Sequence, residues 1–236
     1  MKIFLTGASG FIGKVILNSS DDEVVAWTRQ EHDLREPLPV VQVDVIIHVA
    51  GSLPFETPEN IVLDNVLTTY NLAEFARKQH NLKHFIYFST ALAYGPPTLY
   101  TSVKIGAEEI LKNYNLPLTI IRLGTVYGPG QSQYSFIEKC IRGNITTVYD
   151  CDNMYIHVNE VSRVIKQLIH EEPKGTICLK GEVVNNAKLA QFLTTKSFNT
   201  IPGKPLVIPQ NSIYSGTGPS TSSDSAIFST FCTPRV

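Results

Sequence analysis

One feature narrows the choice of folds more than any other. The apolar run Lys2-Ile3-Phe4-Leu5-Thr6 breaks into Thr6-Gly7-Ala8-Ser9-Gly10-Phe11-Ile12-Gly13, and helical apolar spacing follows at once. A buried strand that meets three glycines and then a helix start brings unencumbered backbone to the strand's end. The helix N-terminus adds unpaired N–H groups and a partial positive charge. In α/β sheets this is where a pyrophosphate is held. A Gly-x-x-Gly-x-x-Gly spacing alone also suits a merely tight strand-to-helix turn. Its position, directly after the first strand, favours the ligand.

The rest of the first half repeats the alternation. Nearly continuous apolar runs predict strands over residues 2–6, 24–28, 43–49, 84–89 and 118–122, as expected of strands buried on both faces. Helical spacing covers 11–18, 61–80 and 100–113. Beyond Gly128-Pro129-Gly130 the elements become shorter, with helices expected near 135–142, 158–170 and 187–195. The reading is an α/β protein, a Rossmann-type doubly wound parallel sheet with a small C-terminal substrate-binding lobe. We expect a dinucleotide-binding domain over 1–130 and a reduced lobe over 131–236, of which about 153–172 packs back on the first domain. Segment 212–225, rich in Ser, Thr and Gly, is expected to be largely loop.

Composition excludes other classes. With 43% hydrophobic and 17% charged residues over 236 positions, the chain is neither disordered nor short of a core. A net charge of -1 with scattered Lys and Arg gives no basic stripe, so nucleic acid is not an expected partner. Cys140, Cys151, Cys178 and Cys232 are far apart, which argues for reduced thiols rather than a metal site or a disulfide framework. The apolar start meets Gly7 too early for a signal-peptide core, and no run spans a bilayer. A soluble, cytoplasmic protein without membrane partners is expected.

Further motifs recur in a fixed order. They are Val45-Ile46-Ile47-His48-Val49-Ala50-Gly51, then Asn65, then Phe88-Ser89-Thr90-Ala91-Leu92-Ala93-Tyr94-Gly95. Tyr100 with Lys104, Arg122 to Pro129, and Ile156-His157-Val158 follow. Together with the glycine turn, this series resembles the extended short-chain dehydrogenase/reductases, the NAD-dependent epimerase/dehydratase family. The resemblance implies that Gly7, Ser9, Gly10, Phe11, Ile12, Gly13, Val49, Ala50 and Gly51 hold NAD or NADP, and that Asp33 and Leu34 lie beside the adenine. An acidic residue at the end of the second strand would bond the NAD ribose, and a basic one would receive the NADP phosphate. Arg29 stands there and tilts the choice towards NADP(H); the alternative is a solvated turn residue.

Moving a hydroxyl proton while nicotinamide carries hydride requires a partner. A phenol, ordinarily near pKa ~10, needs about 4 kcal/mol of preferential phenolate stabilisation to work at neutrality. On a helix Tyr100 and Lys104 share a face, so an ammonium beside the phenol would supply it. Thr90 ends a predicted strand where the family carries its catalytic Ser or Thr. We therefore expect Tyr100 as general acid/base, Lys104 as its activator and as a ribose ligand, and Thr90 as partner of the reacting oxygen. Asn65 resembles the family's supporting asparagine, with a scaffold role equally open. His48 reads as a satisfied core histidine.

The substrate half departs from the family. Ala91-Leu92 replaces the acidic pair of the 4,6-dehydratases, which removes the acid and base for water elimination. Thr125 and Asn153 stand where sugar-nucleotide epimerases place an asparagine and an arginine, and Asn153 cannot replace a charge-assisted phosphate contact. The 95–100 segment is short, and 223–225 and 233–235 only partly match the family's ending. The resemblance implies an epimerase or reductase acting at a hydroxyl/keto carbon of a nucleotide sugar or related small molecule. The alternative is a catalytically weak NAD(P)-binding protein serving as cofactor sensor or assembly subunit. On the resemblance alone, helices 61–80 and 100–113 imply a homodimer.

Overall fold

The computed structural model describes residues 1–204 and the backbone of a short strand at 212–214. A seven-stranded parallel sheet forms the centre. In chain order its strands are β1 (Lys2–Thr6), β2 (Glu23–Trp27), β3 (Val45–His48), β4 (His84–Thr90), β5 (Leu118–Leu123), β9 (Gly175–Lys180) and β12 (Ser212–Tyr214). Their spatial order is β12-β9-β5-β4-β3-β1-β2. Strand order therefore reverses at β1, which pairs with β2 on one side and β3 on the other. In open α/β sheets the crevice beyond such a reversal is where ligands bind.

Alternation along the strands explains their continuous apolar character. Ile3, Leu5, Val45, Ile47, Ile86, Phe88, Ile121 and Leu123 face one side, where Ile16 of α1 (Phe11–Ser19) and Val161, Ile165 and Leu168 of α6 (Val158–Glu171) cover them. Phe4, Ile46, Phe85, Tyr87 and Ile120 face the other side. There they meet Leu72 and Phe75 of α3 (Thr68–Ala76) and Ala107 and Leu111 of α4 (Leu99–Lys112).

The helix expected over 61–80 is composite. It begins as α2 (Pro58–Val62), with Thr57 capping the Asn60 N–H and Pro58 in the first turn, both ordinary start signals. It then widens into a π turn, Leu63–Leu67, before α3. Side chains answer carbonyls in and around the wide turn: Asn65 Nδ2 donates to Ile61 O, Thr68 Oγ1 to Asp64 O, and Thr69 Oγ1 to Asn65 O. Such bulges concentrate at functional sites.

Small sheets sit beside the main one. β6 (Thr125–Tyr127) pairs with β8 (Asp152–His157), which pairs with β10 (Glu182–Asn185). β7 (Thr147–Asp150) pairs with β11 (Asn199–Pro202). Helices α5 (Phe136–Ile141) and α7 (Asn186–Leu193) pack here. No strand after residue 122 was among the expectations. β9 runs between β5 and β12 in the main sheet, and α6 packs beside α1. Segment 212–225 opens as β12 rather than loop; its remainder, the 223–225 and 233–235 matches and Cys232 lie outside the described residues. No helix among the described residues is long and apolar enough to cross a membrane.

β5 and α4 are tied by a buried charge pair. Arg122 donates to Glu108 through Nε at 3.0 Å and Nη2 at 2.7 Å, and Ser89 Oγ donates to the same fully buried carboxylate. Removing one partner leaves a charge stranded in the interior. Arg122→Leu should therefore lower unfolding free energy by about 3–5 kcal/mol in chemical denaturation, with much of the loss recovered when Glu108→Leu is added.

Candidate active site and dinucleotide groove

The glycine turn is built by close approach. Gly7 adopts φ +71, and a Cβ there would lie 2.7 Å from Ala50 N. A Cβ at Gly13 would lie 2.0 Å from the Gly7 carbonyl oxygen, so α1 can meet β1 only through glycine. Gly10 caps α1 without a side-chain acceptor, and the first turn of the helix, Phe11, Ile12 and Gly13, lines the groove. Gly51, at φ +157, leaves room for Asn65, whose Oδ1 a Cβ would approach to 2.5 Å.

Two connected chambers extend from this turn. The first is a cleft open to solvent, with about 1140 Å³ of empty space when the solvent at its mouth is counted. All the residues expected at the cofactor, from Gly7, Ser9, Gly10, Phe11, Ile12 and Gly13 through Arg29, Asp33 and Leu34 to Val49, Ala50 and Gly51, line it, except Lys104. The second holds about 1300 Å³ and shares Phe11, Ile12, Val49, Gly51 and Leu53 with the first. Asn65, Thr90, Tyr100 and Lys104 all line this second chamber. A cradle that only glycines can form, an open helix N-terminus and a long two-chambered groove fit a dinucleotide.

α4 carries the tyrosine and lysine. Thr98 and Thr101 form a reciprocal cap that starts the helix directly before Tyr100, and Lys104 follows one turn later. Lys104 Nζ donates to Phe88 O at 2.7 Å and lies 4.4 Å from the centre of the Tyr87 ring. Burial pushes the Tyr100 phenol up to about 12 and pulls Lys104 down to about 7, with Glu108 opposing the second shift. Thr90 sits at the end of β4, where Oγ1 accepts from Leu92 N at 3.2 Å.

Asn65 is engaged with the scaffold: Nδ2 donates to both Ser52 O and Ile61 O. His48 bridges Thr6 Oγ1 at 2.8 Å and Thr69 Oγ1 at 3.1 Å, as a satisfied core histidine does. In the second chamber Asn153 Nδ2 donates to Thr125 Oγ1 at 3.0 Å. Lys104 is the one Lys, Arg or His among the described residues lining that chamber.

Sequence reasoning missed Asp64, a buried carboxylate lining the first chamber. It receives Arg29 at 3.1 Å, Arg35 at 2.7 Å and the Ser52 hydroxyl at 2.6 Å. Burial pushes its carboxyl up, but Ser52 and the two guanidiniums together hold it below the usual value. A charged residue within a helix facing the core was the available signal. Arg29 is thus not a solvated turn residue alone, although its side chain is 72% exposed. Phe55, Gln131, Ser132 and Ser135 of the second chamber carried no comparable signal.

A parallel sheet reversing at β1, with a glycine cradle beyond the reversal and a continuous groove, defines a dinucleotide-binding α/β protein. The model of the NAD dependent epimerase/dehydratase family matches residues 3–179. The chain belongs to that family. It is similar to the UDP-2-acetamido-2,6-beta-L-arabino-hexul-4-ose reductase of Pseudomonas aeruginosa, 32% identical over 136 residues, covering 54% of this chain and 36% of that reductase. Its fold matches UDP-glucuronic acid 4-epimerase from Bacillus cereus in complex with NAD, with TM-score 0.71, 21% identity and coverage of 87% and 88% of the two chains. It also matches RMD from Pseudomonas aeruginosa complexed with NADPH, with TM-score 0.71, 21% identity and coverage of 86% and 88%.

Burial, followed by the Lys104 charge, depresses His48 to about 3. The unfolded chain gains a proton there near pH 6.5 that the native state refuses, so stability falls as pH drops from 6.5 towards 3. Denaturant melts at pH 7 and pH 4 should show a loss of roughly 3 kcal/mol from this group, and a smaller loss in His48→Asn.

Proposed function

We propose that the protein is an NAD(P)-dependent reductase or epimerase acting at a hydroxyl/keto carbon of a nucleotide sugar or related small molecule. The observation that carries this reading is the meeting of Thr90, Tyr100 and Lys104 in a chamber that shares its wall with the glycine cradle. Gly7, Ser9, Gly10, Phe11, Ile12 and Gly13 would hold the pyrophosphate of NAD(P), Asp33 and Leu34 the adenine, and Val49, Ala50 and Gly51 the middle of the groove. NAD(P), when bound, supplies or accepts a hydride.

The residues of the chain then handle the oxygen and its proton. Thr90 donates a hydrogen bond to the reacting oxygen and fixes its position. Tyr100, held protonated by burial, delivers its proton to the keto oxygen in the reducing direction and takes it back from the hydroxyl in the oxidising one. Lys104, poised near 7, offers a second proton store one helical turn away. Asn65 holds the wide turn against the segment at Gly51 and so keeps the wall between the chambers in place.

The similar reductase from Pseudomonas aeruginosa is named for a UDP-sugar. Here the Thr125–Asn153 contact presents neutral groups where a diphosphate would need a cation. The substrate range therefore extends to related hydroxy/keto compounds without a diphosphate. Two copies pair through α3 and α4 in this reading, and light scattering that returns a strict monomer would remove that pairing.

Cofactor oxidation is to be followed with NADPH and NADH over keto sugar nucleotides and simple ketones. Tyr100→Phe should lower kcat by about 10²-fold or more on whichever substrate turns over. Equal rates for both proteins would take Tyr100 out of the chemistry.

A further inference from the structure

Asp64 binds two guanidiniums unequally. Arg35 reaches Oδ1 through Nε at 2.8 Å and Nη2 at 2.7 Å, also donates to Asn60 Oδ1 at 2.9 Å, and is 28% exposed. Arg29 makes one contact, Nη2 to Oδ2 at 3.1 Å, and is 72% exposed. Both Asp64 and Arg29 line the first chamber, together with Asp33 and His32; Arg35 supports Asp64 from behind. Ser52 fixes the same Oδ2 that Arg29 touches.

Two guanidiniums share one carboxylate, with Asp33 and Glu59 also acting on Arg35, and Arg29 is the partner that can move. A singly bonded guanidinium that is itself largely exposed is screened by solvent and held weakly, even by a buried carboxylate. A 2′-phosphate offers a guanidinium a stronger, charge-assisted and bidentate partner. A ribose carrying only hydroxyls offers no charge, and Arg29 then stays with Asp64.

We propose that Asp64 is a specificity-determining residue for the dinucleotide: it competes with a 2′-phosphate for Arg29 while keeping Arg35 for itself. Its carboxylate weakens the hold of the groove on 2′-phosphorylated nucleotides and leaves the hold on unphosphorylated ones unchanged. This rests on the reading that the first chamber takes the adenosine half of NAD(P).

The test is calorimetric binding of adenosine 2′,5′-bisphosphate and of 5′-AMP at one moderate ionic strength. The proteins are wild type, Asp64→Asn, Arg29→Ala and the double variant, with Asp64→Ser as a second neutral substitution and circular dichroism as the fold control. Asp64→Asn should tighten the bisphosphate roughly five- to tenfold and change AMP by less than about twofold. Arg29→Ala should weaken the bisphosphate by about tenfold or more, and in its background the Asp64 effect should vanish. An Asp64 variant that weakens the bisphosphate, moves both nucleotides alike, or acts equally without Arg29 would overturn the proposal. If wild type binds AMP but shows no Arg29-dependent gain from the 2′-phosphate, the proposal fails and the dinucleotide reading stands. Binding of neither nucleotide by any variant would overturn the dinucleotide reading itself.

Discussion

Everything at the functional end of the molecule depends on backbone touching backbone where β1 runs into α1. The Gly7 carbonyl lies where a side chain on Gly13 would begin, and Ala50 N closes on Gly7 from β3's side. This contact sets the first turn of α1 at the reversal in strand order and in the wall of the groove. The apolar sheet beneath it is a platform: buried on both faces, it holds the ends of β1, β3 and β4 in fixed positions. The side chains of the second chamber are hung from those ends and from α4.

Charge is distributed in the interior with the same economy. Glu108 takes Arg122 and Ser89 beneath β4 and β5, Asp64 takes Arg35 and Arg29 at the first chamber, and His48 is kept neutral between two threonines. Each of these three groups has partners from different elements, so each bond also fixes how those elements meet. Lys104 is the exception in kind. Its ammonium rests on a carbonyl and an aromatic face, with its nearest carboxylate already committed to Arg122, and burial consequently brings it near neutrality.

Much of this was legible in the chain itself. β1 and α1 follow directly from the apolar run and the glycines, and the expected limits of β4, β5, α4 and α6 lie within a residue or so of those observed. Each is long or strongly patterned, so local signals and burial agree. β9 was not legible because its Thr176-Ile177-Cys178-Leu179 run is short and its burial is decided by neighbours far away in sequence. The wide turn in the 58–76 helix was equally hidden, since it arises from side-chain bonds to carbonyls and not from periodicity. Tyr100, Lys104 and Thr90 were brought to one chamber, but their electrostatics could not be read from spacing. Whether an ammonium faces a phenol or a carbonyl depends on the rotamer that packing selects, and here Phe88 O takes it.

The wide turn also sets the phase of everything downstream of it. An α-helix advances about 100° per residue, so one extra residue in a turn rotates the next segment by about that angle relative to an unbroken helix. Upstream, Ile61 is buried; downstream, Leu72 and Phe75 meet the sheet and Thr69 meets His48. An unbroken helix would put Ile61 and Leu72, eleven residues apart, on one face, and the insertion turns the two stripes away from each other around the axis. Asp64 and Asn65, consecutive in sequence, line different chambers across that phase change. A single local irregularity thus lets one helix serve as core, partition and lining for both halves of the groove.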